Sequence, residues 1–448
     1  MAENSEHPSI KRFHERAATA IAGPSPILDA GELRQTCLKA GADDVGFVEV
    51  DRAELASERT DIVQFFPHTQ SLISFVLRMN REPIHNQARS VANVEFHHTG
   101  ERVDETAHHI VATLEQRGIR AVNPAMGFPM EVGRTGAGKI WVVSHKHVAV
   151  AAGLGHMGIH RNVIHPRFGN FILLGTVLID AKISDYQQPL DYNPCVECKL
   201  CVSACPVGAI GSDGAFNFSA CYTHNYREFL GGFTNWVEQI ADSKNSTDYR
   251  RRVTDAESAS MWQSLSFGAN YKSAYCMAVC PAGDDVISTF LTDRSEYLKD
   301  IVRPLQNKEE TVYVVPNSDA EEYVAKRFPH KQTKRVGNSS NRLLSIRSFL
   351  FGLPLNFQRN RSKGIDATYH FTFTGREQQC ATITISNQRL TITDNLVGKA
   401  DLKVTADSDT WLGFIAKERN LVWALLRRKI RIKGSPRLLL AFGRCFPS

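Results

Sequence analysis

The chain has 448 residues, of which 42% are hydrophobic and 22% are charged, and its formal net charge is +6. This is an ordinary composition for a globular protein, and the length predicts about three domains. The apolar runs, such as residues 171–179, are far shorter than the roughly 20 apolar residues of a membrane-spanning helix, so no membrane span is predicted. The N-terminal segment lacks a secretory signal pattern, and we therefore expect a cytoplasmic protein.

The first region that is predicted to fold, residues 27–188, alternates buried strands with helical segments. Helical spacing of apolar residues predicts a helix over residues 103–117. Apolar runs predict four strands, at residues 45–50, 72–77, 140–143 and 171–179. Strands that alternate with helices are typical of a three-layer α/β domain, which is the fold class expected for this region.

The remaining chain divides into three segments by its pattern. Residues 189–290 are predicted to be loop-rich and hold most of the cysteines, and residues 291–340 are predicted to be a connection with one strand at 312–315. Residues 341–448 alternate apolar with polar positions, which predicts an α+β domain with antiparallel strands. These strands fall at 369–373, 381–385, 389–393 and 402–404, and helices follow at 407–417, 420–429 and 435–444. The last helices are rich in arginine and lysine, for which a solvated helix face is the commonest explanation.

The distribution of the cysteines along the chain predicts that they bind metal. Ten are present, and seven of them lie between Cys195 and Cys280, a clustering that favours metal binding over a disulfide framework in a cytoplasmic chain. Four belong to the run Cys195-Val-Glu-Cys198-Lys-Leu-Cys201-Val-Ser-Ala-Cys205-Pro206. This C-x2-C-x2-C-x3-C-P spacing is that of bacterial ferredoxins with two iron–sulfur clusters, in which the fourth cysteine ligates the other cluster.

A second motif, Cys276-Met-Ala-Val-Cys280-Pro281, repeats the C-x3-C-P ending. By symmetry, the ligands predicted for the first cluster are Cys195, Cys198, Cys201 and Cys280. Those predicted for the second cluster are Cys205, Cys221 and Cys276, with Ser273 at the position where a fourth cysteine is expected. Because a serine oxygen is a poor replacement for a thiolate, our hypothesis is that the second cluster is atypical. The alternative is zinc, whose sites usually combine two C-x2-C hooks and four ligands.

The segment upstream of the cysteines carries a family resemblance. Ala151-Ala-Gly-Leu-Gly155-His-Met-Gly-Ile-His-Arg-Asn162 leads through a strand to the ferredoxin motif. This arrangement resembles the epoxyqueuosine reductase and reductive dehalogenase superfamily, and so do the early strands around residues 42–47 and 71–75. The resemblance covers residues 30–290 and implies a base-off cobalamin that receives electrons from the clusters. A flavin, or no organic cofactor at all, stays open as an alternative.

The same segment supplies the candidates for cofactor binding. Gly153, Gly155 and Gly158 would let the backbone approach a large flat cofactor, with His156 between them; a tight turn without a ligand explains the glycines equally well.

Catalytic candidates follow from the resemblance and from the histidines. Ungapped counting puts Lys139 where the epoxide reductases carry an acidic proton donor, so their reaction does not carry over with the cofactor. His156 is a further candidate for proton transfer, as is His108, which shares a helix face with Asp104. For any one histidine, a surface or capping role is the more common explanation.

The C-terminal domain resembles the sterol carrier protein type of lipid-binding domain. The residues that carry this resemblance are Gly398 to Trp411 and Leu425 to Gly434. The family combines a five-stranded sheet with helices over an apolar tunnel. Because the helical-repeat tail with which epoxyqueuosine reductases hold transfer RNA is missing, we expect a small apolar or lipid-like substrate and no nucleic-acid partner.

The function expected from these patterns is that of an iron–sulfur oxidoreductase. Two clusters would pass electrons from an external low-potential donor, such as a ferredoxin or a flavodoxin, to a corrinoid that reduces a small apolar substrate. Two alternatives belong to other classes of protein. One is a ferredoxin-type electron carrier without its own organic cofactor, and the other is a lipid-binding protein with structural clusters.

Overall fold

The computed structural model describes residues 7–17, 27–130, 141–337 and 343–447. Within these ranges, no helix combines the length and the apolar character that crossing a membrane requires.

The first part of the chain contains a short 3-10 turn, Ala53–Leu55, and the following regular elements. They are α1 (Pro8–Ala17), α2 (Ala30–Ala40), β1 (Asp44–Glu49), α3 (Ala56–Phe65), β2 (Ser71–Arg78), α4 (Arg81–His85), α5 (Arg89–Gln116), β3 (Ala121–Val122), α6 (His145–Ala151), β4 (His156–Met157), β5 (Val163–Ile164) and β6 (Ile172–Ile179).

A four-stranded sheet organises this region in the order β1-β2-β6-β3, with every pair antiparallel. Alternate side chains of each strand face opposite sides, as the two-residue repeat of a strand requires. On one side, Phe47 and Ile73 pack with α2 and α5; on the other, Val48 and Leu72 pack with α3 and α6. Helices therefore cover both faces, and the mixed α/β class predicted for the region is confirmed.

One close contact inside the sheet depends on a glycine. Phe75 of β2 pairs with Gly175 of β6, and a Cβ atom at Gly175 would lie 2.1 Å from the Phe75 ring. The glycine therefore makes room for a fully buried phenylalanine, whose burial stabilises the fold by roughly 2 kcal/mol. The fourth strand predicted here, at 140–143, does not form: residues 141–143 are turn and loop, and residue 140 lies outside the described ranges.

The cysteine-rich region was expected to be loop-rich, and this was wrong, because short helices fill much of it. They are α7 (Leu200–Ala204), α8 (Phe218–Asn225), α9 (Leu230–Ala241), α10 (Ser246–Arg252), α11 (Asp255–Phe267), α12 (Tyr275–Ala278) and α13 (Ile287–Thr292), which crosses the end of this region. The segment predicted as a connection continues with α14 (Arg294–Tyr297), a π-helical turn (Leu298–Val302) and α15 (Arg303–Asn307). Local caps define several of them; Thr254 and Glu257, for example, form a reciprocal capping box at the start of α11. These capping residues are a signal in the sequence from which the helices could have been predicted.

The predicted connection at 291–340 contains a small α/β unit. Strand β7 (Thr311–Val314) pairs in parallel with β8 (Gln332–Arg335), and α16 (Asp319–Arg327) joins them. Val312 and Val314 enter the same apolar core as Cys201 and Tyr275. The sequence did not predict β8, because all four of its residues are polar and at least partly exposed and the strand therefore lacks an apolar pattern.

The C-terminal region folds around a five-stranded sheet in the order β11-β10-β9-β12-β13. Its elements are α17 (Ile346–Asn356), a 3-10 turn (Asn360–Ser362), β9 (Ala367–Thr374), β10 (Gln379–Ser386), β11 (Arg389–Asp394), β12 (Leu402–Asp407), α18 (Ser408–Ile415), α19 (Leu421–Leu426), β13 (Ile430–Gly434) and α20 (Pro436–Arg444). The four predicted strands are present, but β12 pairs in parallel with β9 and only the other pairs are antiparallel. Aromatic rings fill the interior, where Trp411 lies 5.4 Å from Phe371 and 5.8 Å from Phe349 between ring centroids.

Gln358 joins this domain to the rest of the chain. The side chain is 1% exposed, and its Oε1 accepts hydrogen bonds from Asn217 Nδ2 at 3.2 Å and from the Asp319 amide at 3.0 Å. The amide of Gln358 donates to the carbonyl of Cys445 at 2.9 Å. Arg359 adds an ion pair with Asp213 at 2.5 Å. Because the amide group of Gln358 is buried and satisfied, it fixes the position of the domain against the cysteine-rich region.

A buried histidine predicts how stability depends on pH. His224 of α8 is 1% exposed, and burial lowers its pKa from 6.5 to about 4. Between these two values the unfolded chain binds one proton more than the folded chain, so the free energy of unfolding falls as the pH falls. His224→Gln removes this term. We measure the free energy of unfolding in urea for the unmodified protein and for this variant. The difference between the two should shift by about 2 kcal/mol against the unmodified protein between pH 6.5 and pH 5.

The exposed His109 supplies the control, since His109→Gln should leave the pH dependence unchanged. Equal pH slopes for the His224 variant and the unmodified protein would contradict the prediction.

Candidate functional site

The thiols of the predicted first cluster line one small cavity. It is bounded by Cys195, Cys198, Cys201 and Cys280. Cys201 and Cys280 are buried, and the other two are partly buried. Between the first three cysteines, Glu197 and Lys199 adopt left-handed backbone conformations with φ of 49° and 59°. These two turns wrap the chain around the cavity, at a cost in backbone strain that is typical of functional loops.

The chemistry of this thiol set fits an iron–sulfur cluster. Burial raises the pKa of Cys201 to about 12 and also raises that of Cys280, with neighbouring cysteines adding to both shifts. Thiolates in such a place need a positively charged group, which iron would supply. Among the described residues, no three His, Cys, Asp or Glu side chains converge as they would around a single metal ion. The four thiols line one small cavity and are ligands of the kind that iron–sulfur clusters take.

The thiols of the predicted second cluster also lie together. Burial, and after it the charge of the nearby Cys205, raise the pKa of Cys276 to about 12. Cys221 is shifted upward by burial and then by the charges of Cys276 and Cys205. Cys276 also contributes to the shift of Cys201 in the first set. The two thiol sets are therefore neighbours, which is the arrangement that electron transfer between two clusters needs.

Ser273 is held by a residue that the sequence reasoning missed. Its side chain is buried, and its hydroxyl donates to Asn225 Oδ1 at 3.1 Å. The same oxygen accepts the amides of Ser273 at 3.0 Å and Ala274 at 2.7 Å. Asn225 thus fixes the turn that leads into Cys276. The hydroxyl of Ser273 keeps its proton and donates it in a hydrogen bond to Asn225, so it is a neutral group, and its ligation of iron stays a prediction.

Lys146 is a second missed residue, and it lies beside the second thiol set. Its Nζ donates to the Arg161 carbonyl at 2.8 Å and to Asn162 Oδ1 at 2.9 Å. Burial lowers the pKa of Lys146, while the charges of Cys276 and Cys221 oppose that shift. The segment that carries the family resemblance therefore holds an amino group next to the second thiol set, where the charges of Cys276 and Cys221 favour its protonated form against the effect of burial.

This charge predicts an effect on redox potential. An ammonium group near a cluster stabilises the reduced, more negative state, so Lys146→Met should lower the potential of the second cluster. We expect a decrease on the order of 50 mV in a redox titration followed by electron paramagnetic resonance. Lys39→Met on the exposed side of α2 is the control for loss of one charge. An unchanged potential in the Lys146 variant would show that its charge does not act on the cluster.

The glycines of the predicted cofactor segment are explained by contacts within the protein. A Cβ atom at Gly153 would lie 2.5 Å from the Gln188 carbonyl, and one at Gly155 would lie 2.6 Å from the Ile164 carbonyl. At Gly158 it would lie 2.7 Å from the ring of His160. The side on which each glycine lacks a side chain is therefore occupied by protein, and contact of these residues with a cofactor stays a prediction.

The three catalytic candidates have different surroundings. His156 lies in β4, where its Nδ1 donates to the neighbouring Met157 carbonyl at 3.2 Å. His108 is exposed on α5, while Asp104 on the same helix accepts the Met126 amide at 3.0 Å. Lys139 lies outside the described residues. Proton transfer by any of the three stays a prediction.

Aromatic rings form a wall beside the second thiol set. Tyr271 lies 5.0 Å from Phe96, 5.1 Å from Phe229 and 5.4 Å from Tyr226 between ring centroids. Burial raises the pKa of Tyr226, and the charges of Tyr271, Cys221 and Cys276 raise it further. These rings pack against one another, so the surroundings of Cys221 and Cys276 on this side are apolar and aromatic.

Comparisons with known proteins agree with these features. Residues 189–211 match the 4Fe-4S binding domain family, and residues 355–447 match the SCP-2 sterol transfer family. An epoxyqueuosine reductase of Cyclobacterium marinum is 33% identical over 103 residues, which are 21% of this chain and 33% of that protein. One of Staphylococcus aureus is 35% identical over 80 residues, or 18% and 20% of the two chains. Parts of the chain are therefore similar in sequence to epoxyqueuosine reductases.

The match to epoxyqueuosine reductases is partial, since the chain spans a third or less of the length of the first curated relatives. A solved epoxyqueuosine reductase with a modified tRNA stem loop shows 17% identity and a TM-score of 0.32, covering 43% of this chain and 56% of that one. The predicted family resemblance, the iron–sulfur clusters and the sterol carrier-type tail are confirmed. The expectation of a small apolar substrate without a nucleic-acid partner is not supported, because these relatives are named for a modified nucleoside. That expectation was based on the missing helical-repeat tail.

Proposed function

We propose that the chain is an iron–sulfur, corrinoid-dependent reductase, and that its substrate is an RNA that carries an epoxyqueuosine-type modification. The observation that carries this proposal is the pair of adjacent thiol sets beside an aromatic wall. The relationship to the epoxyqueuosine reductases supports the type of reaction and the class of substrate. The whole activity is a proposal, since the similarity covers a minor part of each relative.

Each thiol set and the side chains beside it would have a separate role in this reaction. The set that includes Cys201 and Cys280 would hold the first cluster and accept electrons from an external low-potential carrier. The set that includes Cys205, Cys221 and Cys276 would hold the second cluster. A corrinoid bound at the aromatic wall would supply two-electron reduction at cobalt. Lys146 would stabilise the reduced state of the second cluster, and the rings around Tyr271 would keep water away.

His145 is placed to shape the same site. It is a partly buried residue at the start of α6, with Nδ1 2.9 Å from Thr176 Oγ1 and Nε2 3.0 Å from the Ala125 carbonyl. Burial lowers the pKa of His145, so the neutral ring is favoured at neutral pH. Because the ring bridges β6 and the loop before residue 130, we propose that it positions that loop over the cofactor site.

The experiment uses protein that is reconstituted anaerobically with iron, sulfide and cobalamin. It is incubated with a reductant and a tRNA stem loop that contains epoxyqueuosine, and the nucleosides are analysed by mass spectrometry. We expect conversion to queuosine that depends on cobalamin and is lost in Cys276→Ala. If the protein bound cobalamin but did not convert this RNA, the proposed substrate would be wrong. Absence of cobalamin binding, with rapid reduction of an added electron acceptor, would instead favour a ferredoxin-type carrier.

A second candidate function belongs to the tail alone. The match of residues 355–447 to the SCP-2 sterol transfer family supports binding of an apolar ligand there, as a ligand and not as the substrate of the reductase. Displacement of a fluorescent fatty acid from the full chain tests this function. No saturable binding of the probe would contradict it.

A further inference from the structure

A basic pocket lies away from the cavity of the first cluster and has no part in the function proposed above. Its volume is about 250 Å3, and it lies between helices α9 to α11 and the two-stranded sheet of β7 and β8. Aromatic side chains of Trp236 and Tyr313 form part of its wall. Its five basic side chains are Arg227, Arg252, Lys272, Lys334 and Arg335.

Four of these five cations have a carboxylate partner. Arg252 pairs with Asp248 at 3.2 Å, Lys334 pairs with Glu257 at 2.6 Å, Lys272 pairs with Glu228, and Arg335 pairs with Glu321. Their charges are therefore balanced within the protein. One of the three ammonium hydrogens of Lys272 is left after its bonds to Glu228 and Ser260.

Arg227 is the exception. Its residue is only 8% exposed, and its guanidinium lies over the ring of Tyr313, with the central carbon 4.8 Å from the ring centroid. Nη2 donates to Asn235 Oδ1 at 2.7 Å. Among the described residues, no carboxylate oxygen lies within 4.0 Å of this guanidinium. An arginine stays charged even when buried, and Glu257, whose charge acts on Arg227, is already paired with Lys334. The pocket therefore contains one positive charge without a carboxylate of its own, which is unfavourable in the absence of a ligand.

We propose that this pocket binds a small phosphate-bearing molecule, with its phosphate on Arg227. The planar guanidinium fork matches two oxygens of a phosphate, and Lys272, which lines the same pocket, would donate its free hydrogen to a third. The volume lies just below the usual range of about 300–1,000 Å3 for sites of drug-sized ligands, which fits a small phosphomonoester. The bound molecule would sit against the turn of the second cluster, because Lys272 directly precedes Ser273.

The test uses the full chain in a chloride buffer and inorganic phosphate as the probe in isothermal titration calorimetry, with sodium chloride at matched ionic strength as the blank. We expect saturable binding of phosphate that weakens about tenfold or more in Arg227→Gln. Arg59→Gln removes a partly exposed guanidinium that pairs with Asp51, and it should bind phosphate like the unmodified protein.

A stability measurement separates loss of binding from loss of folding. Because Arg227 has no carboxylate partner, Arg227→Gln should unfold at an equal or higher temperature than the unmodified protein without phosphate, and phosphate should no longer stabilise it. No saturable phosphate binding to the unmodified protein, or equal binding to the Arg227 variant, would overturn the proposal. Binding of an RNA stem loop that depends on Arg227, with no binding of phosphate alone, would also overturn it, in favour of a contact with the RNA backbone.

Discussion

Cys280→Ala is expected to remove the first iron–sulfur cluster and to reduce electron transfer through the chain to background. Cys280 is buried and lines the same cavity as the other three thiols of its set. Without it, one iron of the cluster has no protein ligand at a site closed to most solvent. We expect the iron content to fall by about four per chain and the signal of one reduced cluster to vanish from the electron paramagnetic resonance spectrum.

Cys445→Ala is the matched control for this prediction. Cys445 is also buried, but it lies in the C-terminal domain, where its thiol donates to the Ala441 carbonyl at 3.4 Å. This variant loses a buried sulfur without losing a predicted ligand, so it should keep its full iron content. If Cys280→Ala retained both cluster signals and the iron content of the control, Cys280 would not be a ligand.

Ser273→Cys is expected to complete the second cluster. Serine and cysteine are similar in shape, and Ser273 already occupies the position that the repeat assigns to a cysteine. The change replaces a neutral hydroxyl that donates to Asn225 with a thiol that iron can deprotonate. We expect the iron content to rise by about one per chain and the cluster to survive exposure to air longer.

The control for this variant is Ser362→Cys. Ser362 is fully buried in the C-terminal domain, and its hydroxyl donates to the Arg359 carbonyl at 2.7 Å. It therefore tests the cost of a buried sulfur without offering a ligand, and its iron content should not change. If the unmodified protein already held two four-iron clusters and Ser273→Cys added no iron, the second cluster would have another ligand in the place of the serine.

The sequence was most informative where a chemical spacing or a strict repeat fixed the outcome. The C-x2-C-x2-C-x3-C-P run predicted which thiols the fold brings together, because a short loop can present three of them to only one cluster. The two-residue alternation predicted β9 to β11 to within a few residues. The parallel pairing of β12 with β9 was not predictable from alternation, since a strand shows the same pattern in either direction.

The rest of the site depends on contacts between distant parts of the chain. Asn225 and Ser273 are 48 residues apart, and no local pattern relates them. Lys146 lies in α6, but its significance comes from cysteines more than 70 residues downstream. The glycines at 153, 155 and 158 were predicted to let the backbone approach a cofactor, with a tight turn as the alternative; in the structure, other protein segments approach them closely.

The pocket around Arg227 shows the same limit. Its five cations come from four separate segments between residues 227 and 335, since Lys334 and Arg335 are adjacent, and no local pattern relates these segments. Only the fold shows that four of them have carboxylate partners and that Arg227 has none within the described residues. A charge balance of this kind depends on tertiary structure, and composition alone could not predict it.

The central claim is that the chain holds one ordinary cluster and one unusual cluster on seven cysteines. Iron and sulfide analysis combined with Mössbauer spectroscopy, on protein purified without oxygen, tests this claim most directly. The account predicts about seven irons per chain, four in a cluster with four thiolate ligands and about three in a second cluster with a different spectrum. A chain that contained zinc, or a single cluster of four irons with the second thiol set unliganded, would contradict it.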